Sequence, residues 1–194
     1  MLVLASASPR RQELLRNAGI QFVVQPTDIP ETPQPGESPK ACAERLAREK
    51  ALAIAQLCPD AFILGADTIV VVDNEMLGKP CDAADAARML RLLSGRRHRV
   101  ITGLCLITPH SANSPQQPSA ASETTLVTFE PLTDEEIRYY VGTRESMDKA
   151  GAYAIQGIAS RWVSRIEGDY SNVVGLPVPL VYRMLRERAY TFGA

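Results

Sequence analysis

Residues 1–15, MLVLASASPRRQELL, run from an apolar strand straight into a helix that opens on two arginines. Leu2 to Ala5 read as a short buried strand. Ser8 is a good N-cap, Pro9 suits the first helical position, and Leu14, Leu15 and Ala18 recur at helical spacing. Arg10 and Arg11 therefore stand in the first turn, where the helix dipole already presents positive partial charge. Two cations there cost stability unless an anion is near, and the free N–H groups of a helix start favour phosphate. On this segment two readings stand side by side: a pair of solvated arginines, or half of an anion site.

The strand-then-helix order continues outward. Phe22 to Gln25 follow Gly19 as a second short strand, and residues 26–39 (PTDIPETPQPGESP) form a Pro-rich loop carrying Asp28 and Glu31. Ser38-Pro39 starts a long helix to about Leu57, with Ala43, Leu46, Ala47, Ile54 and Leu57 as its apolar stripe. Phe62 to Val72 read as a buried strand, with a turn at Asp73-Asn74 and an extended stretch reaching Lys79-Pro80. Asp82 caps a helix that turns Ala86, Met89, Leu90 and Leu93 inward and ends near Ser94-Gly95. Val100 to Thr108 and Thr124 to Phe129 resemble paired strands, joined by a polar hairpin loop at about 109–122 (PHSANSPQQPSAAS). A helix from Thr133 to about Val141, a strand near Trp162 to Ile166 and a last helix after Pro177 complete the chain. Strands and helices alternate around an inserted antiparallel pair, so the class is α/β with a mixed sheet. Residues 1–194 fit a single domain of ordinary size, or two lobes sharing one core.

A formal net charge of −1 provides no global basic field, so a nucleic-acid polymer is not an expected partner and any anion must meet a local cluster. Cys42, Cys58, Cys81 and Cys105 form no CxxC pair, which points away from a zinc knuckle and toward a reduced, cytoplasmic setting. With only His98 and His110, a histidine-rich metal site is not expected; a hard ion on carboxylates stays open. No apolar run reaches membrane-spanning length, and LVLASA, short and without a preceding basic segment, reads as a core strand rather than a leader.

Four positions break the pattern. Lys50 falls on the apolar stripe of its helix, where it either snorkels to the rim or points toward an anion. Asp67 is the one acid in FILGADTIVVV and shares a strand face with Gly65 and Ile69. A carboxylate so placed must be ion-paired, bind a metal or serve as a proton acceptor. Gly65 weakens a strand but lets another group approach the backbone closely. Lys79 in LGKP and Lys149 in DKAG would each read alone as surface lysines; their meaning lies in occurring together with an isolated acid.

These segments resemble the Maf family of nucleoside-triphosphate pyrophosphatases. The resemblance runs through ASASPRRQELL, LAREKA around Lys50, GADTIV around Asp67, GKP at Lys79 and MLRLLSGRRHRVITG at residues 89–103. It continues with DKAGAYAIQG at 148–157 and IEGDYSNVVGLP at 166–177, so it spans nearly the whole chain. It implies an elongated mixed sheet flanked by helices, in two lobes with a substrate groove between them. It also implies hydrolysis of a nucleoside triphosphate to monophosphate and pyrophosphate with a divalent metal, Mg²⁺ or Mn²⁺. Asp67 matches the proposed proton acceptor; Arg11, Thr68 and Gln156 match positions tied to substrate choice in the branch acting on dTTP and UTP. DKAGAY followed by IQG fits that branch rather than the sister branch acting on 7-methyl-GTP. Ala154 stands where glycine is expected, and a positive φ there would strain it and move Gln156.

On this basis Arg10, Arg11, Lys50, Lys79 and Lys149 are expected to offset the triphosphate's charge, with Ser6 and Ser8 donating to phosphate oxygens. Asp67 is the first candidate metal ligand and Glu31 the second. The Gln156 amide suits the uracil or thymine edge, its alternative being a turn cap. Two other functions stay in view: a house-cleaning hydrolase of modified nucleotides, and a nucleotide-binding regulator of septum formation with little catalysis. A homodimer is compatible with the sequence, although no helix carries an uninterrupted exposed apolar face.

Overall fold

Apolar runs buried on both faces set the centre of the sheet. In a computed structural model describing residues 1–110 and 117–192, seven strands form one mixed sheet. They are β1 (Leu2–Leu4), β2 (Val23–Val24), β3 (Phe62–Val72), β4 (Glu75–Leu77), β5 (Arg97–Ile107), β6 (Pro118–Phe129) and β7 (Val163–Glu167). The order is β2-β1-β3-β5-β6-β7, with β4 paired to β3. β1 pairs in parallel with β2 and β3, while β3–β4 and β6–β7 are antiparallel. The helices are α1 (Pro9–Asn17), α2 (Pro39–Ala55), α3 (Ala83–Leu93), α4 (Asp134–Gly142), α5 (Tyr170–Val174) and α6 (Val178–Glu187). Among the described residues no helix is long and apolar enough to cross a membrane, and all four cysteines are free thiols.

The chain divides into two units. The first comprises Met1–Asp67, Thr102–Glu123 and Gly175–Ala194; the second comprises Thr68–Ile101 and Thr124–Val174. In the first, one face of the strands supplies Leu2, Leu4, Leu64, Ala66, Leu104 and Leu106, which pack with Leu15 of α1 and Leu180, Met184 and Leu185 of α6. The other face supplies Val3, Ala5, Ile63, Cys105 and Ile107 against Ala47, Ala51, Ile54 and Ala55 of α2. Ile63, Gly65 and Asp67 thus share the face that α2 covers.

In the second unit, α3 packs on α4 and on the 3₁₀ turn at Ala150–Ala152. Ala86, Met89, Leu90 and Leu93 are its buried residues, as the spacing requires. His98 lies inside this unit, its Nε2 2.9 Å from the Tyr153 hydroxyl and its ring edge-on to Phe129 and Tyr153. Burial lowers its pKa to about 4. The folded state therefore holds the neutral imidazole while the unfolded chain takes up a proton below its ordinary value near 6.5. That contribution is intact above about pH 6.5 and is lost as pH falls toward 4, about 2 kcal/mol of it between pH 7 and pH 5. Urea unfolding at the two pH values should register this loss in the wild type, and His98→Gln should remove it.

Several expectations need correction. The loop expected at 109–122 is shorter: β6 begins at Pro118, while residues 111–116 lie outside the described residues. Pairing of β6 with β5 overrides the weak strand preference of PSAAS; β7 pairs only with Leu126–Phe129. Helix α2 stops at Ala55, leaving Leu57 exposed at 68% rather than on the stripe. Ala18 is the exposed C-cap of α1, not a core residue. The strained alanine is Ala152, with φ 59°, whereas Ala154 has no positive φ. The 3₁₀ turns and α5 carried no period long enough to read.

Candidate functional site

The site in the first unit starts from α2 lying unusually close to β3. A Cβ on Gly65 would fall 2.1 Å from the Ala47 carbonyl oxygen and 2.9 Å from the Ala51 nitrogen. Gly103 on β5 leaves the same kind of room for Ala43, one helical turn earlier. Two strand glycines therefore let the helix backbone rest on the sheet, and Lys50, between Ala47 and Ala51 in sequence, reaches Asp67. Its side chain does not snorkel: Lys50 is 6% exposed. Its Nζ donates to Asp67 Oδ1 and to Glu31 Oε1, both at 2.6 Å.

Glu31 comes from the Pro-rich loop, and Arg45 of α2 ties that loop down. Its Nε and Nη2 donate to Glu37 Oε1 and Oε2 at 2.7 and 2.8 Å, and Nη2 also donates to the Thr32 carbonyl at 3.1 Å. The paired guanidinium pulls the Glu37 pKa down to about 2. This fork is bidentate, the geometry that makes arginine specific for a carboxylate. Nothing in the periodicity of the loop announces it; the one local signal is the Arg45–Glu49 spacing of four, which suits an ion pair along the helix.

Across the strand, Ser8 caps α1 through its hydroxyl, which accepts from the Arg11 N–H at 3.5 Å. The Arg11 side chain turns back: Nη1 donates to Ser6 Oγ at 3.1 Å and to the Ala66 carbonyl at 2.9 Å, and Nε donates to the Gly175 carbonyl at 2.8 Å. Burial presses this guanidinium toward its neutral form, and the charges of Asp67 and Glu31 oppose that. An arginine in such a position stays a cation. Arg10 half-emerges beside it and adds to the positive field. Ser6, Ser8, Arg11, Glu31, Lys50 and Asp67 are thus brought together. Asp67 is ion-paired, one of the three roles its burial allowed.

Thr68, Lys79, Lys149 and Gln156 belong to the second unit. Thr68 is half-buried and Lys79 exposed on the segment after β4. Lys149, whose side chain is only 12% exposed, pairs with Asp148 at the start of the 3₁₀ turn. Gln156 is exposed and makes no side-chain hydrogen bond among the described residues, so it does not cap a turn. Two partners of this segment, Tyr140 and Glu145, were not legible in the sequence, because they bind backbone groups rather than matching side chains.

Among the described residues no three His, Cys, Asp or Glu side chains are grouped to hold a metal. Asp67 and Glu31 nevertheless aim their oxygens at one point, now held by Lys50. Two hard carboxylate donors fit Mg²⁺, which takes one or two protein carboxylates and completes its shell with phosphates and water.

Residues 1–188 match the family described as Maf-like protein. The chain is 57% identical over 185 residues to a protein of Koribacter versatilis named dTTP/UTP pyrophosphatase, covering 95% of this chain and 93% of that one. It is 51% identical over 189 residues to a protein of the same name from Symbiobacterium thermophilum, covering 97% and 94%. With a third so named, from Geobacter metallireducens, it shares 53% over 193 residues, covering 100% and 96%.

Proposed function

Because this chain belongs to the Maf-like protein family, we propose that it hydrolyses dTTP and UTP to the monophosphate and pyrophosphate with the help of a divalent cation. The observation that carries this reading is the Lys50 ammonium seated 2.6 Å from both Asp67 and Glu31. A buried lysine between two acids, with Arg11 fixed beside them, is a charge cluster that few folds need for stability alone. The names of relatives that match along almost the full chain support the substrate class.

Water attacking the α-phosphorus gives its proton to the Asp67 carboxylate while the bond from that phosphorus to the bridging oxygen breaks. Pyrophosphate leaves with the added negative charge. Arg10, Arg11 and Lys50 offset that charge, an electrostatic effect that strengthens as the reaction proceeds. An ammonium has three donors; the carboxylates engage two on Lys50, and the third serves a phosphate oxygen. Ser6 and Ser8 turn their hydroxyl protons toward the phosphates while their oxygens continue to accept from Ser8 N–H and Arg11. Mg²⁺ or Mn²⁺ held by Asp67 and Glu31 would neutralise phosphate charge. Lys79 and Lys149 are proposed to add to that neutralisation, and the resemblance ties Thr68 and Gln156, with Arg11, to substrate choice. Gln156 can accept from the N3–H of uracil or thymine and donate to O4, whereas cytosine presents the opposite pattern. Four free thiols suit a reducing, cytoplasmic setting, where nucleoside triphosphates are present.

Pyrophosphate release from dTTP, UTP, CTP and GTP at equal concentration, with and without EDTA, tests the reading. UTP and dTTP should exceed CTP by about 10²-fold or more, the discrimination of a site whose polar groups go unpaired with the wrong base. EDTA should abolish release. A purine preference would overturn the base assignment, and full activity in EDTA would overturn the cation.

A further inference from the structure

The segment carrying Gln156 is held from both sides by two residues outside it. Tyr140, fully buried on α4, accepts a hydrogen bond from the Ala154 N–H at 3.2 Å and donates its own proton to Glu145 Oε1 at 3.0 Å. Glu145 accepts from the Ile158 N–H, at 3.1 Å to Oε1 and 3.3 Å to Oε2. Ala154 and Ile158 lie two residues before and two residues after Gln156. Between them the Gly157 N–H donates to the Ala154 carbonyl at 3.1 Å, closing a turn.

The bracket is itself braced by its neighbours. The Tyr140 ring meets Trp162 edge-on with centroids 5.3 Å apart, and the Trp162 indole N–H donates to Glu136 of α4 at 3.2 Å. Burial and the neighbouring Glu145 carboxylate keep the phenol protonated, so it remains a donor. Gly157 leaves the space the carboxylate fills, since a Cβ there would stand 2.0 Å from Glu145 Oε1. The Gln156 side chain has no hydrogen bond of its own among the described residues. The direction in which its side chain leaves the main chain is set by its backbone, and that backbone is held by this pair.

We propose that Tyr140 and Glu145 are positioning residues for base selectivity: they fix the 154–158 turn so that the Gln156 amide meets the pyrimidine edge in one orientation. The inference rests on the reading of Gln156 as the residue that recognises the base. Both act through the main chain of the turn, with no contact to the substrate of their own.

The test is kcat and KM for UTP and for CTP, measured separately for Tyr140→Phe, Glu145→Ala, Glu145→Gln and Gln156→Ala, with urea midpoints alongside. Tyr140→Phe and Glu145→Ala should each lower the UTP-to-CTP ratio of kcat/KM at least about fivefold, the effect of one lost hydrogen bond on a positioned group. The loss should fall mainly on KM for UTP. Glu145→Gln keeps an oxygen that accepts from both Tyr140 and Ile158, and should restore most of the ratio. Combining Gln156→Ala with Glu145→Ala should lower the ratio no further than Gln156→Ala alone. A merely structural role would move the urea midpoint and leave the ratio unchanged, and that result overturns the proposal. Should Glu145→Ala fail to fold, Tyr140→Phe, which removes a single oxygen, decides alone. If Gln156→Ala leaves the ratio intact, the base reading and this inference fall together. If it collapses the ratio while the bracket variants do not, this inference alone falls.

Discussion

Asp67→Asn should reduce kcat for pyrophosphate release by about 10²- to 10⁴-fold, the range lost when a positioned proton acceptor is removed. The substitution keeps the side chain's shape and takes away its charge and basicity. Lys50 would retain Glu31 at 2.6 Å, so the buried ammonium keeps one carboxylate. That matters for interpretation, because stranding a buried charge entirely costs about 3–5 kcal/mol. The variant should therefore stay folded, with a urea midpoint near that of the wild type and KM for UTP little changed. Raising Mg²⁺ or Mn²⁺ to saturation separates the two roles open to Asp67. A variant defective only in cation affinity would recover its rate; one lacking its proton acceptor stays slow, which is the expected result. Near-normal release by Asp67→Asn would refute the assignment.

Asp67 also illustrates how far a sequence can be read. Strand β3 was legible residue for residue, Phe62 to Val72, because a β-branched, apolar run broken only at Asp67 and Thr68 and flanked by turn residues reads as a buried strand. Its alternation placed Asp67 beside Gly65, and the structure puts both under α2. Lys50 was legible as anomalous but not as resolved. Helical period places it on the buried stripe; whether its amine finds an acid depends on Glu31, which a Pro-rich loop delivers without any period of its own. Arg45 holds that loop by bonds to a carbonyl and a distant carboxylate, and such bonds leave no local trace. The same holds for Arg11, whose best acceptor is the carbonyl of Gly175, a group every residue carries. At residues 150–158 the chain abandons both periods for 3₁₀ turns and a left-handed alanine, and the expectation about Ala154 missed by two residues. Periodic elements report themselves. Backbone hydrogen bonds from remote side chains do not, and much of this site is built from them.

The approach of α2 to β3 makes Gly65→Ala the second severe substitution. Alanine has no difficulty with the strand's backbone there; the difficulty is space. Its Cβ would stand 2.1 Å from the Ala47 carbonyl oxygen, 2.9 Å from the Ala51 nitrogen and 3.0 Å from the Ala51 Cβ. Two of these are main-chain atoms inside a helix of 17 residues, so no rotamer can yield and the helix itself must move. Overpacking of this kind costs about 1–3 kcal/mol and more when backbone must shift, and a loss of at least about 3 kcal/mol is expected by urea unfolding. The displaced helix carries Lys50 away from Asp67 and Arg45 away from the loop that presents Glu31. A misplacement of about 1 Å can lower rate by about 10²-fold, so activity per folded molecule should fall as well. Gly142→Ala is the control: nothing lies within 4 Å of its added Cβ and its φ is not positive, so stability should change by no more than about 1 kcal/mol. Wild-type stability in Gly65→Ala would mean that α2 stands off the sheet, and the route by which Lys50 reaches Asp67 would have to be abandoned.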